Sequence, residues 1–203
     1  MQNTLQQHFG NIDIYLFDQL LKGRFDNCHN IIDIGCGGGR NLHYFLQNGF
    51  EVYGIDPNRD AVDRVKQLSA SLAQANPTEN FIVAVAEDLP YPDNFFDLAI
   101  CSAVLHFARS HEHFDAMLKS IWNVIKPGGY FFARLASDIG IENLVAPICN
   151  GVYLLPDGST RYLVNETVLL EYTRKLNAEL IEPIKTTNVQ NLRCMTTWCL
   201  RKT

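Results

Sequence analysis

The stretch Ile31-Ile-Asp-Ile-Gly-Cys-Gly-Gly-Gly-Arg-Asn41 decides how this chain is read. A β-branched run, Asn30 to Ile34, predicts a buried strand, and the pattern from Arg40 to Gln47 predicts a helix. The glycines between them let a backbone turn sharply and let a ligand approach main-chain N–H groups. In a doubly wound sheet, a strand-to-helix turn of this kind is where the ligand crevice lies. A dinucleotide fingerprint needs G-x-G-x-x-G, and counted from Gly35 its sixth position is Arg40. The residues from Asp33 to Gly39 instead spell D-x-G-x-G-x-G. An acid at the strand end repels a pyrophosphate and suits a ligand that carries an ammonium and a sulfonium.

Outward from this turn, short β-branched runs alternate with helical patterns. Glu51 to Ile55 predicts a second strand, followed by a helix with Ala61, Val62, Val65, Leu68 and Leu72 on one face. Phe81 to Val85 and Phe96 to Cys101 predict a third and a fourth strand. The next helix sets Phe114, Met117, Leu118, Ile121 and Ile125 on one side, and Lys126-Pro127-Gly128-Gly129 is expected to stop it. Tyr130 to Leu135 predicts a fifth strand. Such alternation implies a parallel sheet with helices on both faces. The last third differs. Tyr153 to Val164 predicts a hairpin around Pro156-Asp157-Gly158, and Glu166 to Leu176 a helix capped by Asn165. Two closing strands, Leu180 to Thr186 and Leu192 to Leu200, are joined by a tight turn near Val189 and so must be antiparallel.

Composition bounds the function. With 203 residues, 47% of them hydrophobic and 19% charged, the chain can bury one core and is neither disordered nor a coiled coil. A net charge of -5 with scattered Lys and Arg argues against a broad nucleic-acid-binding face. Cys28, Cys36, Cys101, Cys149, Cys194 and Cys199 include no C-x-x-C and are expected to be free thiols. The start, Met1 to His8, lacks the pattern of a signal peptide, and no apolar run approaches a membrane span. A cytoplasmic protein with no nucleic-acid or membrane partner is expected, as a monomer or homodimer.

The glycine stretch resembles motif I of the class I S-adenosylmethionine-dependent methyltransferases, and four motifs in order extend the likeness from about Ile31 to Leu135. Gly54-Ile55-Asp56-Pro57 resembles that family's ribose-binding acid followed by an apolar contact to the adenine. Ala86-Glu87-Asp88-Leu89-Pro90 is similar to its adenine-edge loop, and Phe95 to His106 and Ile125 to Tyr130 match further motifs. The resemblance implies a Rossmann-like, doubly wound α/β fold with a mostly parallel seven-stranded sheet ending in an antiparallel hairpin. One domain would span residues 1–203, with an N-terminal helical cap over 1–29 and a lid over the acceptor site at 138–164. The cofactor would be S-adenosyl-L-methionine, and a small molecule would accept its methyl group.

The same resemblance implies cofactor contacts for Asp33, Gly35, Cys36, Gly37, Asp56, Pro57, Glu87, Asp88, Leu89 and Ser102. Asp88 would accept from the adenine amino group, and the Leu89 N–H would reach a ring nitrogen. Arg40 is either a clamp on the cofactor carboxylate or a surface arginine; Gly39-Arg40-Asn41 is also similar to the tellurite-resistance type of small methyltransferase. Tyr15 either turns its ring toward the sulfonium or packs on the sheet edge. His106, after the fourth strand, is either a general base, a substrate contact or a packed core histidine. His111 and His113 diverge on a helix, so no metal is expected. Two other readings stay open: a nicotinamide-dependent oxidoreductase on a related fold, and a cofactor-binding subunit without catalysis.

Overall fold

In the computed structural model, which describes residues 4–203, Asn30–Ile34 forms the central strand β1. Glu51–Asp56 (β2) and Phe81–Val83 (β3) lie on one side of it. Phe96–Ser102 (β4) and Ile125–Ser137 (β5) lie on the other, and all five run parallel. Beside β5 the direction reverses at Arg193–Lys202 (β11), which is antiparallel to it. Neighbouring side chains on each strand go to opposite faces, as the strand period demands. Ile31, Leu98 and Ile100 enter one core with helices Ile14–Leu21 (α2), His43–Gln47 (α3) and Arg59–Leu72 (α4). Ile32, Ala99 and Cys101 enter the other with His111–Val124 (α5) and Glu166–Lys175 (α6). Thr4–Phe9 (α1) precedes them and buries no residue. The parallel sheet, the helices on both faces and the antiparallel end are as expected.

The details depart from the sequence reading where backbone chemistry intervenes. The helix expected from Arg40 begins at His43, because Gly39 takes φ +83° and the preceding residues form turns. The third strand ends at Val83. Helix α5 stops at Val124, before Lys126-Pro127-Gly128-Gly129, which forms the irregular start of β5 where the register with β4 shifts. The strand expected over Leu180 to Thr186 is split into Ala178–Leu180 (β9) and Lys185–Val189 (β10), each pairing a different half of β11. Pro183 lies in the gap, where a missing N–H breaks a ladder. Among the described residues the sheet therefore has eight strands rather than seven. The tight turn follows Val189, with Gln190 and Asn191 at positive φ. The predicted hairpin gains a third strand: Ala146–Cys149 (β6), Val152–Leu154 (β7) and Thr160–Tyr162 (β8) form a separate antiparallel sheet.

Caps fix the helix starts. Asn58, Ser110 and Asn165 each accept a backbone N–H at the head of α4, α5 and α6. The six cysteines are free. No helix among the described residues is long and apolar enough to cross a membrane.

Two glycines of the same turn have different jobs. A Cβ on Gly39 would sit 2.6 Å from Leu68 Cδ2 and 2.9 Å from Val65 Cγ2, so this glycine seats the loop on α4. Gly37, at φ +55°, has open space where a Cβ would go. Gly37→Ala should cost the left-handed backbone penalty alone, about 1–2 kcal/mol. Gly39→Ala should cost that and a further ~1–3 kcal/mol of overpacking against α4. Thermal melts followed by circular dichroism should show the larger drop in Tm for Gly39→Ala; equal drops would contradict the packing account.

Candidate functional site

The glycine turn is tied to the end of β2 by two bonds. The Cys36 N–H donates to the Ile55 carbonyl at 2.9 Å, and the Gly37 N–H to Asp56 Oδ2 at 3.0 Å. Asp56 Oδ1 accepts the Asn58 N–H at 2.9 Å. Gly35, at φ +68°, lies so close to Val104 that a Cβ would come within 2.4 Å of its Cγ2. Cys36 is buried, and burial pushes its thiol far up, so it is no nucleophile. Asp33 is buried on β1, and desolvation pushes its carboxyl up to about 8; Arg40 opposes this and Asp56 adds to it. A cation brought beside Asp33 would therefore favour its ionised form.

A cavity of about 350 Å³ opens between the ends of β1, β2, β3 and β4. Its walls are mostly apolar, with Ile55, Val85, Ala86, Val104 and Met117, while Asp56 and Glu87 supply carboxylates. Pro57 and Gly35 also line it. Burial pushes the Glu87 carboxyl up, but backbone hydrogen bonding, His113 at 3.1 Å and Arg109 at 3.8 Å outweigh this and hold it below the usual range. Two expectations fail here. The Leu89 N–H is already donated to Ser120 Oγ at 3.0 Å, and its side chain packs in the core. Asp88 is exposed and outside the cavity, because the loop after β3 turns its side chain to solvent.

A larger cavity of about 530 Å³ adjoins the first, and Ala103 lines both. Ala103 follows β4 at φ +65°, a left-handed conformation unusual for a residue with a Cβ. Its N–H donates to the Arg134 carbonyl at 2.7 Å, which holds that geometry.

At the heart of this cavity is Asp13, whose side chain is 0% exposed. Arg134 Nη1 donates to its Oδ2 at 2.8 Å, and Ser102 Oγ at 3.3 Å. Arg40 Nη2 donates to Ser102 Oγ at 3.0 Å and lies 3.7 Å from the same carboxylate. Oδ1 accepts the Tyr15 N–H at 3.0 Å, capping α2, while the Asp13 N–H donates to Asn41 Oδ1 at 3.0 Å. Tyr15 itself bonds Thr187 Oγ1 at 2.6 Å through its hydroxyl, and the Arg134 guanidinium lies 5.1 Å over its ring. Its aromatic face is thus engaged by an arginine.

His106 lines the same cavity and is buried. Its Nδ1 accepts the Ala136 N–H at 3.2 Å, so the neutral ring carries its proton on Nε2. Burial, with Arg161 adding, pushes its pKa down to about 4. His111 bonds the Tyr162 hydroxyl at 2.8 Å, and His113 faces Glu87, so the two histidines go separate ways.

The structure thus brings Asp33, Gly35, Cys36, Gly37, Asp56, Pro57 and Glu87 to one end, and Arg40, Ser102 and His106 to the other. Sequence reasoning missed Asp13 and Arg134. Asp13 carried a signal, an N-cap residue before an apolar helix; Arg134, inside a strand, carried none.

Comparison with known proteins identifies the family. Residues 32–133 match the family described as a methyltransferase domain, half of the chain. An uncharacterized methyltransferase of Synechocystis is 33% identical over 101 residues, 50% of this chain and 44% of that protein. A tRNA U34 carboxymethyltransferase of Hydrogenovibrio crunogenus is 30% identical over 139 residues, 67% of this chain and 37% of that one. The chain therefore spans less than half the length of these relatives. The crystal structure of a Burkholderia thailandensis 1,6-didemethyltoxoflavin-N1-methyltransferase, with S-adenosylhomocysteine bound, superimposes with a TM-score of 0.70 at 18% identity, covering 98% of this chain and 85% of that one. The nicotinamide alternative finds no support in these matches. The matched domain and the glycine turn with its acidic strand ends make the chain a member of the class I S-adenosylmethionine-dependent methyltransferase family.

Proposed function

We propose that this chain transfers the methyl group of S-adenosylmethionine to a small-molecule acceptor held in the larger cavity. The observation that carries the reading is the meeting of two unlike cavities at Ala103, one apolar with carboxylates and one rich in arginine. The residues present fit the cofactor: space stands open beside Gly37, Asp56 offers remaining lone pairs to a ribose, and Glu87 rims the apolar end. Asp33 suits an ammonium, and Arg40 a carboxylate. When bound, the cofactor supplies a methyl group already activated on a sulfonium. The protein's part is alignment, which can supply roughly 7–11 kcal/mol.

His106 serves in this reading as a hydrogen-bond donor to the acceptor through its Nε2–H. The cavity's two carboxylates are occupied by arginines, Asp13 by Arg134 and Asp157 by Arg193. Among the described residues no unpaired carboxylate therefore lines this cavity, which suits a nucleophile that arrives with its lone pair available. The segment 138–164 acts as a lid: Asp157 and Arg161 from it line the cavity. The N-terminal cap, of which residues 1–3 lie outside the described residues, contributes Asp13. A net charge of -5 and a cavity of this size favour a small acceptor over nucleic acid.

Calorimetry with S-adenosylhomocysteine tests the cofactor end. Asp56→Ala should weaken binding by about 1.5–3 kcal/mol or more, since charge-assisted hydrogen bonds are lost and the glycine turn loses its tie. Asp88→Ala should leave the Kd unchanged. An unchanged Kd for Asp56→Ala would contradict the assignment.

His106→Gln tests the acceptor end. A glutamine keeps a donor, so kcat should fall less than tenfold, whereas loss of a general base costs about 10²–10⁴-fold. Because the His106 pKa lies near 4, the wild-type kcat should show no histidine ionisation between pH 6 and 7. A loss in the base range, or a rise in kcat through that window abolished by the substitution, would overturn the donor role. Absence of transfer to any acceptor, with S-adenosylhomocysteine bound, would favour a cofactor-binding subunit instead.

A further inference from the structure

The larger cavity has more positive charge than its own carboxylates can match. Arg40, Arg134, Arg161 and Arg193 line it against Asp13 and Asp157. The pairing is specific. Arg134 is held by Asp13 at 2.8 Å, and Arg193 lies 3.6 Å from Asp157. Arg40 stands beside the glycine turn, 3.7 Å from Asp13, with its side chain 51% exposed. It is the arginine available to the cofactor's carboxylate.

Arg161 is left over. Among the described residues no carboxylate pairs with it. Its Nη1 donates to the Thr160 carbonyl at 2.6 Å, and its guanidinium lies 5.0 Å over the Phe107 ring. These contacts orient the group and leave its charge uncompensated. Its field reaches His106, whose pKa it helps to depress. The cavity it lines also has Leu155, Ala136 and Met195 in its wall, and next to apolar surface a charge attracts a counter-charge more strongly than in water. The His106 Nε2–H, a donor with no acceptor role, faces the same need.

We propose that the acceptor is a small organic anion whose carboxylate or phosphate monoester is bound by Arg161 at the β8 end of the larger cavity. This rests on the reading of that cavity as the acceptor site. A planar guanidinium meets either oxyanion with two parallel N–H bonds, so the chemistry shared by the two is what Arg161 reads. The anion anchors the acceptor from β8, while Arg40 stands beside the glycine turn. Two arginines on separate elements thus keep the anionic ends of donor and acceptor apart, where like charges would otherwise repel.

The test uses S-adenosylmethionine carrying a labelled methyl group and an ultrafiltered metabolite extract split by ion exchange into anionic, neutral and cationic fractions. A further arm contains tRNA. Label should enter the anionic fraction. Arg161→Gln should require about tenfold more of that fraction for half-maximal rate, the effect of losing about 1.4 kcal/mol of charge-assisted binding. The same variant should bind S-adenosylhomocysteine with an unchanged Kd, which also reports that it is folded. Phosphatase treatment of the anionic fraction separates the two sources: acceptor activity that is destroyed was a phosphate monoester, and activity that survives was a carboxylate. Label confined to the neutral or cationic fraction, or to tRNA, would overturn the inference while methyl transfer stands. So would anionic acceptors that Arg161→Gln handles normally. No label in any arm would overturn the methyl-transfer reading itself, and this inference with it.

Discussion

The buried carboxylate of Asp13 is the contact on which the site depends. It caps α2, accepts from Arg134 on β5 and from Ser102 on β4, and lies within 3.7 Å of Arg40 beside the glycine turn. A fully buried charge is expensive unless it is paired and hydrogen-bonded, and here every side of it is met. The same bonds fasten the N-terminal helices to the carboxyl ends of three central elements. Removing one partner would leave an uncompensated buried charge, so the cluster stands or falls together. Its consequence is positional: Arg40 and Arg134, which both line the larger cavity, are gathered about one carboxylate.

The division of the crevice follows from the sheet. Parallel strands put their carboxyl ends on one edge, and the loops that leave them must diverge to reach helices on opposite faces. The loops after β1, β2 and β3 line the smaller cavity together with Val104 and Phe107 after β4. Asp13, Arg40, the end of β5, Leu155 to Arg161 and the β10–β11 turn line the larger one. Ala103 stands at the junction in a left-handed conformation, pinned by the Arg134 carbonyl. That bond links the backbone at the junction to the residue that Asp13 holds. Geometry at the meeting point is thus set by the same network that fixes the arginines.

Much of this was legible in the residues, for local reasons. Runs such as Asn30 to Ile34 carry the β-branched pattern of a buried strand, and Asp33 and Asp56 lie at the carboxyl ends of β1 and β2, where the chain turns. What escaped was decided by partners distant in sequence. Nothing in Leu89 announces that Ser120, 31 residues away, takes its N–H. Nothing in Asp88 shows which way its loop turns. His106 looked equally suited to three roles, and nothing local announced that its Nδ1 takes a backbone N–H from Ala136, 30 residues away. The insertion after β5 read as a simple flap, yet Tyr162 stacks on Phe114 at 4.8 Å and Val164 packs in the main core. The end of this segment is therefore rooted in the domain interior.

The central claim is that cofactor and acceptor occupy adjoining cavities that meet at Ala103. A crystal structure of the chain with S-adenosylhomocysteine bound tests this most directly. The account predicts the adenosine against Asp56 and Glu87, the amino-acid end between Asp33 and Arg40, the sulfur beside Ala103, and the Arg161 end left open. Adenosine lodged against Arg161, or a ribose away from Asp56, would contradict it.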